Sequence, residues 1–130
     1  MNVVVTDTSS WISYFKDQPC AELDLALKEG RVFLSPIVAA ELLSSRLKPK
    51  ECEELSSFLK ELPLAETPFE HWQKVGALRA HAASKGIHLS TPDAHVAQCA
   101  LDQDGYLLTE DKIFKKLVKI SPLRLLSVPS

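Results

Sequence analysis

Val3-Val4-Val5 is an unbroken run of β-branched apolar residues, a pattern that suits a strand covered on both faces, as in the middle of a parallel sheet. The run stops at Thr6-Asp7. Trp11, Tyr14 and Phe15 then fall at i, i+3 and i+4, which predicts a helix over Ser9 to Phe15 directly after the strand. Asp17-Gln18-Pro19 interrupts the pattern, and Leu23 and Leu27 restore it in a helix from Ala21 to Lys28 that Gly30 ends. Arg31 to Leu34 has the length of a strand. Ser35-Pro36 is a helix-start signal, with serine as N-cap and proline in the first turn.

The second half repeats this grammar. Lys50 to Leu62 carries Cys52, Leu55, Phe58, Leu59 and Leu62 at helical spacing, and Pro63 to Thr67 leaves room for a small edge strand. Phe69 to Ser84 is a helix with Trp72, Val75, Leu78, Ala82 and Ala83 facing the core, closed by Gly86. Ser90-Thr91-Pro92-Asp93 marks another helix start, with Thr91 as the expected cap and a central, alanine-rich helix over Ala94 to Leu101. Gly105 to Thr109 reads as a turn and strand, Lys112 to Val118 as a helix, and Leu123 to Val128 as a final strand. Strands alternating with helices predict an α/β fold with a parallel sheet, in one domain over residues 1–130.

Composition narrows the class without naming a function. No stretch approaches the roughly 18 to 20 apolar residues of a membrane span, and Met1-Asn2-Val3 lacks the basic and apolar regions of a signal peptide, so a cytoplasmic protein is expected. Cys20, Cys52 and Cys99 are odd in number and widely spaced, which reads as buried thiols in a reducing compartment. His71, His81, His88 and His95 form no close pair in sequence, so spacing gives no sign of a histidine-based zinc site. The net charge of -2 does not advertise a nucleic-acid binder, yet it permits one if charge is unevenly distributed.

Four acids stand out by position. Asp7 and Asp111 each follow a predicted strand, on the rim of an open α/β sheet where ligands bind. Glu41 lies past the first turn of its helix, on the face of Ile37 and Val38, where a carboxylate needs a partner or a cation. Asp93 sits in the first turn of the alanine-rich helix. Each has an ordinary explanation alone: Asp7 as an N-cap, Glu41 as a side chain reaching past the core to water, Asp93 as a complement to the helix dipole. Taken together they converge, because parallel strands with right-handed crossovers bring all strand ends of one sense to one edge. Crowded carboxylates raise one another's pKa, a divalent cation relieves this, and an all-oxygen donor set selects Mg2+ or Mn2+ over zinc. Such an ion activates water for attack on phosphorus, and Ser9 and Thr109 are placed to hydrogen-bond a ligating carboxylate or the scissile phosphate.

The residues Asp7-Thr8-Ser9-Ser10-Trp11-Ile12 after the valines, Ser35-Pro36-Ile37-Val38 leading to Glu41-Leu42, Asp93 opening its helix, and Leu107-Leu108-Thr109-Glu110-Asp111 followed by Phe114 resemble a PIN domain, and more narrowly the VapC toxins of toxin-antitoxin modules. The resemblance spans the chain in order. It implies a five-stranded parallel sheet flanked by helices, cleavage of RNA dependent on Mg2+ or Mn2+ held by Asp7, Glu41, Asp93 and Asp111, dimerisation, and inhibition by a VapB-type antitoxin. Some relatives carry a further acid two residues beyond the position of Asp111. This chain has Ile113 there, so the resemblance implies one ion and leaves a second open.

Lys112, Lys115, Lys116 and Lys119 share one helix face and could follow an RNA backbone, with Arg46, Lys48 and Lys50 as a second cationic group; both could equally be solvated surface. No base-reading motif accompanies them. The rival function is a PIN-like module that binds RNA or protein without cutting. A phosphatase using Asp7 as nucleophile is disfavoured because Ser9 stands where the haloacid-dehalogenase pattern needs a second aspartate, and a receiver domain because Asp7 has no acidic neighbour. The aromatic face of Trp11, Tyr14 and Phe15 reads as core, its rim as a candidate surface for an antitoxin helix.

Overall fold

A computed structural model describes residues 2–126. The element order is β1 (Val4–Thr6), α1 (Thr8–Phe15), α2 (Ala21–Lys28), β2 (Val32–Phe33), α3 (Pro36–Leu43), α4 (Pro49–Lys60), α5 (Phe69–Ser84), α6 (Thr91–Asp102), β3 (Tyr106–Leu108) and α7 (Ile113–Val118). The strands form a parallel sheet in the order β2-β1-β3, with Val4 opposite Val32 and Tyr106, and Val5 opposite Phe33 and Leu107. Val4, Val5 and Thr6 are all buried although neighbouring residues point to opposite faces, so the central strand is covered on both sides, as its unbroken apolar run requires.

The five expected strands are three strands and two single bridges among the described residues. Leu34 pairs in parallel with Leu64, and Leu107 with Leu125, so both outer positions of the sheet are occupied in the expected sense but barely extended. The first of these edges is short because Pro63 has no amide proton for a ladder and Leu64 is largely exposed. Of the strand expected over Leu123 to Val128, Ser127 and Val128 lie outside the described residues.

Helix boundaries follow their caps. Ser35 Oγ accepts from the Val38 amide at 3.1 Å and Pro36 opens α3, as the dipeptide suggests. At α6 the cap is Ser90, one residue before the expected Thr91: its hydroxyl accepts from the Asp93 amide at 3.2 Å, which puts Thr91 and Pro92 inside the first turn. Helix α4 begins and ends two residues or fewer from its expected limits, and α7 starts at Ile113 rather than Lys112. The alanine-rich α6 is central as expected, buried from Ala94 through Ala100, and packs on α5, β1 and β3. Of the thiols expected to be buried, Cys99 is, whereas Cys20 and Cys52 are half-buried; all are free.

Gly105 shows how tightly β3 is set against β1. A Cβ built there would lie 2.3 Å from the Val3 carbonyl oxygen, which also accepts from the Tyr106 amide at 2.9 Å. Backbone cannot yield as a side chain can, so Gly105→Ala must part the two strands. The expected cost is about 1–3 kcal/mol, typical of overpacking, read as a lower melting temperature. A melting curve unchanged from the parent would show that the turn relaxes freely.

Candidate metal centre

Because β1, β2 and β3 are parallel, their carboxyl ends share one edge, and the residues that follow them meet there. A cavity of about 200 Å³ opens at that edge, lined by Asp7, Thr8, Ser9, Val38, Glu41, Pro92, Asp93, Val96 and Asp111. All four acids singled out from the sequence line it: Asp7 after β1, Glu41 from the middle of α3, Asp93 from the first turn of α6, and Asp111 after β3.

Asp7 is the most enclosed of the four, at 8 % exposed. Its Oδ1 accepts from Ser9 Oγ at 3.0 Å and from the Ser10 amide at 3.1 Å, and its Oδ2 accepts from the Thr109 hydroxyl. The N-cap role is therefore real, and both hydroxyls named from the sequence converge on this one carboxylate. Three donors aimed at one group fix its orientation. Thr109 Oγ1 in turn accepts from the Asp111 amide at 3.0 Å, which ties the loop after β3 to the end of β1. Asp111 is exposed, and its Oδ1 accepts from the Ile113 amide at 3.0 Å, a turn that opens α7.

Of the two settings open to Glu41, it takes the one that reaches past the core. It is exposed rather than held against an apolar face, and its partner is Thr8, whose hydroxyl donates to Oε1 at 2.7 Å. Thr8 is a cavity residue that sequence reading passed over, since only the packing of α1 on α3 reveals it. Asp93 has its carboxyl pushed above the usual range, first by burial and then by the negative charges of Asp111, Asp7 and Glu41, against a lowering contribution from Ser90. Asp93 thus feels the other three acids across the cavity, the condition a divalent cation relieves.

Their spacing is looser than the sequence suggested. Among the described residues, the group of potential ligands whose donor atoms all fall within 4.8 Å is His71, His95 and Cys99; the four carboxylates are not drawn that close. Oxygens bound directly to one Mg2+ at ~2.1 Å sit no more than about 4.2 Å apart. The donor chemistry and crowding fit a hard cation such as Mg2+, which commonly keeps several of its waters when few carboxylates hold it.

The cationic candidates are all at the surface: Lys112, Lys115, Lys116 and Lys119 around α7, and Arg46, Lys48 and Lys50 beyond α3. On the opposite side of α7, Phe114 and Leu117 are buried and Ile113 partly so, whereas Val118 is 38 % exposed.

Away from the cavity lies a polar chain that spacing did not announce. His71 Nδ1 meets Asp102 Oδ2 at 2.6 Å, His71 Nε2 meets His95 Nδ1 at 2.8 Å, and His95 Nε2 meets Ser35 Oγ at 2.6 Å. With Asp102 as a carboxylate that only accepts and both rings neutral, His71 donates from Nδ1, His95 donates from Nδ1 to His71 Nε2, and Ser35 donates to His95 Nε2. Trp72 stacks on His95 with ring centroids 4.9 Å apart. Burial, then the neighbouring His71, lowers the His95 pKa to about 4, against an opposing contribution from Asp102. A folded-state value below the ordinary 6.5 means that the unfolded chain binds the extra proton more readily. Stability from neutral His95 is therefore present above pH ~6.5 and is lost as pH falls toward ~4, by roughly 3 kcal/mol in all. Melting curves over that range should show a decline that flattens in a His95→Gln variant; equal pH dependence in the two proteins would exclude His95 as the cause.

The PIN domain family model matches residues 4–120. Among solved structures, VapBC2 from Rickettsia felis bound to a DNA fragment from their promoter contains a chain with a TM-score of 0.78 at 24% identity, covering 95% of this chain and 97% of that one. DNA-bound VapBC from Salmonella typhimurium gives 0.76 at 22%, covering 97% and 98%, and VapBC-1 from nontypeable Haemophilus influenzae gives 0.74 at 16%, covering 95% and 96%. At these identities the likeness is one of fold. No curated protein matches the sequence. Among the described residues no helix is long and apolar enough to cross a membrane.

Proposed function

Since the chain belongs to the PIN domain family, we propose that it is a metal-dependent endoribonuclease, working as one domain over residues 1–130 and acting as the toxin of a VapBC-type toxin-antitoxin module. The observation that carries this reading is the cavity at the carboxyl edge of the sheet, lined by acids from four separate stretches of the chain. Mg2+ or Mn2+ is the cofactor, held by Asp7, Glu41, Asp93 and Asp111. When bound, it supplies charge neutralisation on the phosphate and a lowered pKa for an attacking water.

The chain's own groups do the remaining work. Ser9 and Thr109 hold the Asp7 carboxylate in one orientation, and Thr8 does the same for Glu41. Asp93, whose carboxyl is pushed above the usual range first by burial and then by the neighbouring acids, would be a ligand for the cation that offsets that charge. Lys112, Lys115, Lys116 and Lys119 on one side, with Arg46 and Lys48 on another, bind RNA phosphates flanking the cut. A VapB-type antitoxin restrains the activity, a reading supported by the fold likeness to chains from VapBC structures. A homodimer and a cytoplasmic setting complete the proposal.

The test is cleavage of a broad RNA panel by the full chain in Mg2+ or Mn2+, with Asp7→Asn alongside. Cutting by the parent that stops with chelator and with the variant is expected. Equal cutting by both proteins would count against this reading, and cutting by neither would favour a PIN-like module that binds RNA or protein without hydrolysing it.

A further inference from the structure

His71 from α5 and His95 and Cys99 from α6 bring three side chains together that are buried completely or nearly so, at 2 %, 0 % and 1 % exposed. One donor atom from each lies within 4.8 Å of the others. Cys99 stands one helical turn beyond His95, with Sγ 3.6 Å from His95 Nε2 and 3.9 Å from Nδ1, and His71 Nε2 faces His95 Nδ1 at 2.8 Å. We propose that these three side chains form a metal site separate from the acidic cavity, taking a single soft cation, Cu(I) by preference.

The outer partners are those that ligating imidazoles use. A metal-bound histidine commonly gives its other ring nitrogen to a carboxylate or another oxygen, which fixes the ring and its tautomer. Here the far nitrogen of His71 is held by Asp102 at 2.6 Å and that of His95 by Ser35 at 2.6 Å, so the near nitrogens are turned toward each other, and a shift of the Cys99 side chain along the ring is needed to bring the sulfur to the same ion. Asp102 is itself held, through Oδ1, by Gln98 Nε2 at 2.8 Å. Trp72, stacked on the His95 ring, limits its rotation.

Donor type decides the ion. Imidazole and thiolate select copper and zinc and disfavour Mg2+ or Mn2+, so this site and the acidic cavity would sort cations by hardness. Zinc sites are almost always four-coordinate, and among the described residues the group has three members. A trigonal set suits Cu(I) better. Bonds of ~2.0 Å in that geometry put the nitrogens roughly 3.5 Å apart, so the ring-to-ring hydrogen bond opens by well under 1 Å.

The proton balance is simple. The His95 proton moves from Nδ1 to Nε2, where Ser35 changes from donor to acceptor, and His71 keeps its proton on Nδ1 toward Asp102. The Cys99 thiol loses its proton to solvent as the sulfur–metal bond forms. One proton leaves for each ion, and no oxidation change occurs because the ion arrives as Cu(I). Binding therefore weakens as pH falls.

The experiment is an anaerobic titration of the full chain with Cu(I) delivered from its bicinchoninate complex, beside a parallel titration with Zn(II). Expected are one equivalent of copper drawn from the chelator and a thiolate-to-copper absorption in the near ultraviolet. Both should persist in Asp7→Asn and in the Cys20→Ser/Cys52→Ser double variant, which removes the half-buried thiols. Cys99→Ala should lose the absorption and at least tenfold in affinity, and His71→Gln should do the same if the alanine variant does not fold. No uptake, uptake that disappears with Cys20 and Cys52, or uptake unchanged in Cys99→Ala would overturn the site. Stoichiometric zinc without copper would overturn the three-donor assignment.

Discussion

Asp7→Asn should abolish measurable RNA cleavage, lowering it by at least about a hundredfold, while leaving the fold intact. Loss of a group that only orients a metal ligand typically costs 10- to 100-fold, and a direct ligand should cost no less. Asparagine caps helices about as well as aspartate, so the contact from Asp7 Oδ1 to the Ser10 amide can be kept while the charge is removed. Asp7→Ala would mix two effects. It removes the cap, worth ~1 kcal/mol, and leaves the Ser9 and Thr109 hydroxyls without their shared acceptor. Circular dichroism and melting curves on the asparagine variant, run beside the cleavage assay, separate chemistry from stability. Cleavage at the parent's rate in a folded Asp7→Asn protein would remove Asp7 from the reaction.

Trp11→Ala should be the most destabilising single change, at about 3–5 kcal/mol, in line with buried large-to-alanine substitutions. Trp11 is fully buried and touches three other rings, with centroids 5.5 Å to Phe15, 6.0 Å to Tyr14 and 5.7 Å to Phe58. That burial settles the core reading for Trp11, while Phe15, at 42 % exposed, keeps the rim open to a partner. The loss would reach the cavity because the Trp11 amide donates to the Asp7 carbonyl at 3.1 Å in the first turn of α1. Since single domains are stable by only about 5–15 kcal/mol, the variant should melt many degrees lower and cleave poorly at temperatures the parent tolerates. Trp11→Phe should cost much less, because the indole nitrogen has no hydrogen-bond partner to lose. Chemical denaturation of both variants checks this, and a loss under 1 kcal/mol for the alanine would show that the ring cluster closes over the gap.

The parts of this fold legible in the sequence were those written locally. Caps and breakers placed most helix limits within a residue or two, as at Ser35-Pro36 and Gly86, and the all-apolar Val3 to Val5 run announced a strand covered on both faces. The gathering of Asp7 and Asp111 also followed, because a parallel sheet leaves its strand ends no other edge. What local pattern could not supply was pairing at long range. His71 lies 24 residues from His95 and 31 from Asp102, and Ser35 lies 60 from His95, so their polar chain is invisible to any spacing rule. The Thr8 contact with Glu41, 33 residues away, was hidden for the same reason. The outer strands were overestimated because apolar runs of strand length say nothing of how much ladder their neighbours offer.

The most direct single measurement is the free Mn2+ signal in electron paramagnetic resonance as the ion is titrated into the apo protein, with a variant carrying Asp7→Asn and Asp93→Asn beside it. One bound ion in the parent and none in the variant is the expected result, and the soft His71, His95 and Cys99 donors should not compete for this hard cation. A parent that leaves the Mn2+ signal undiminished, or a variant that binds as well as the parent, would contradict the assignment of the acidic cavity as a cation site.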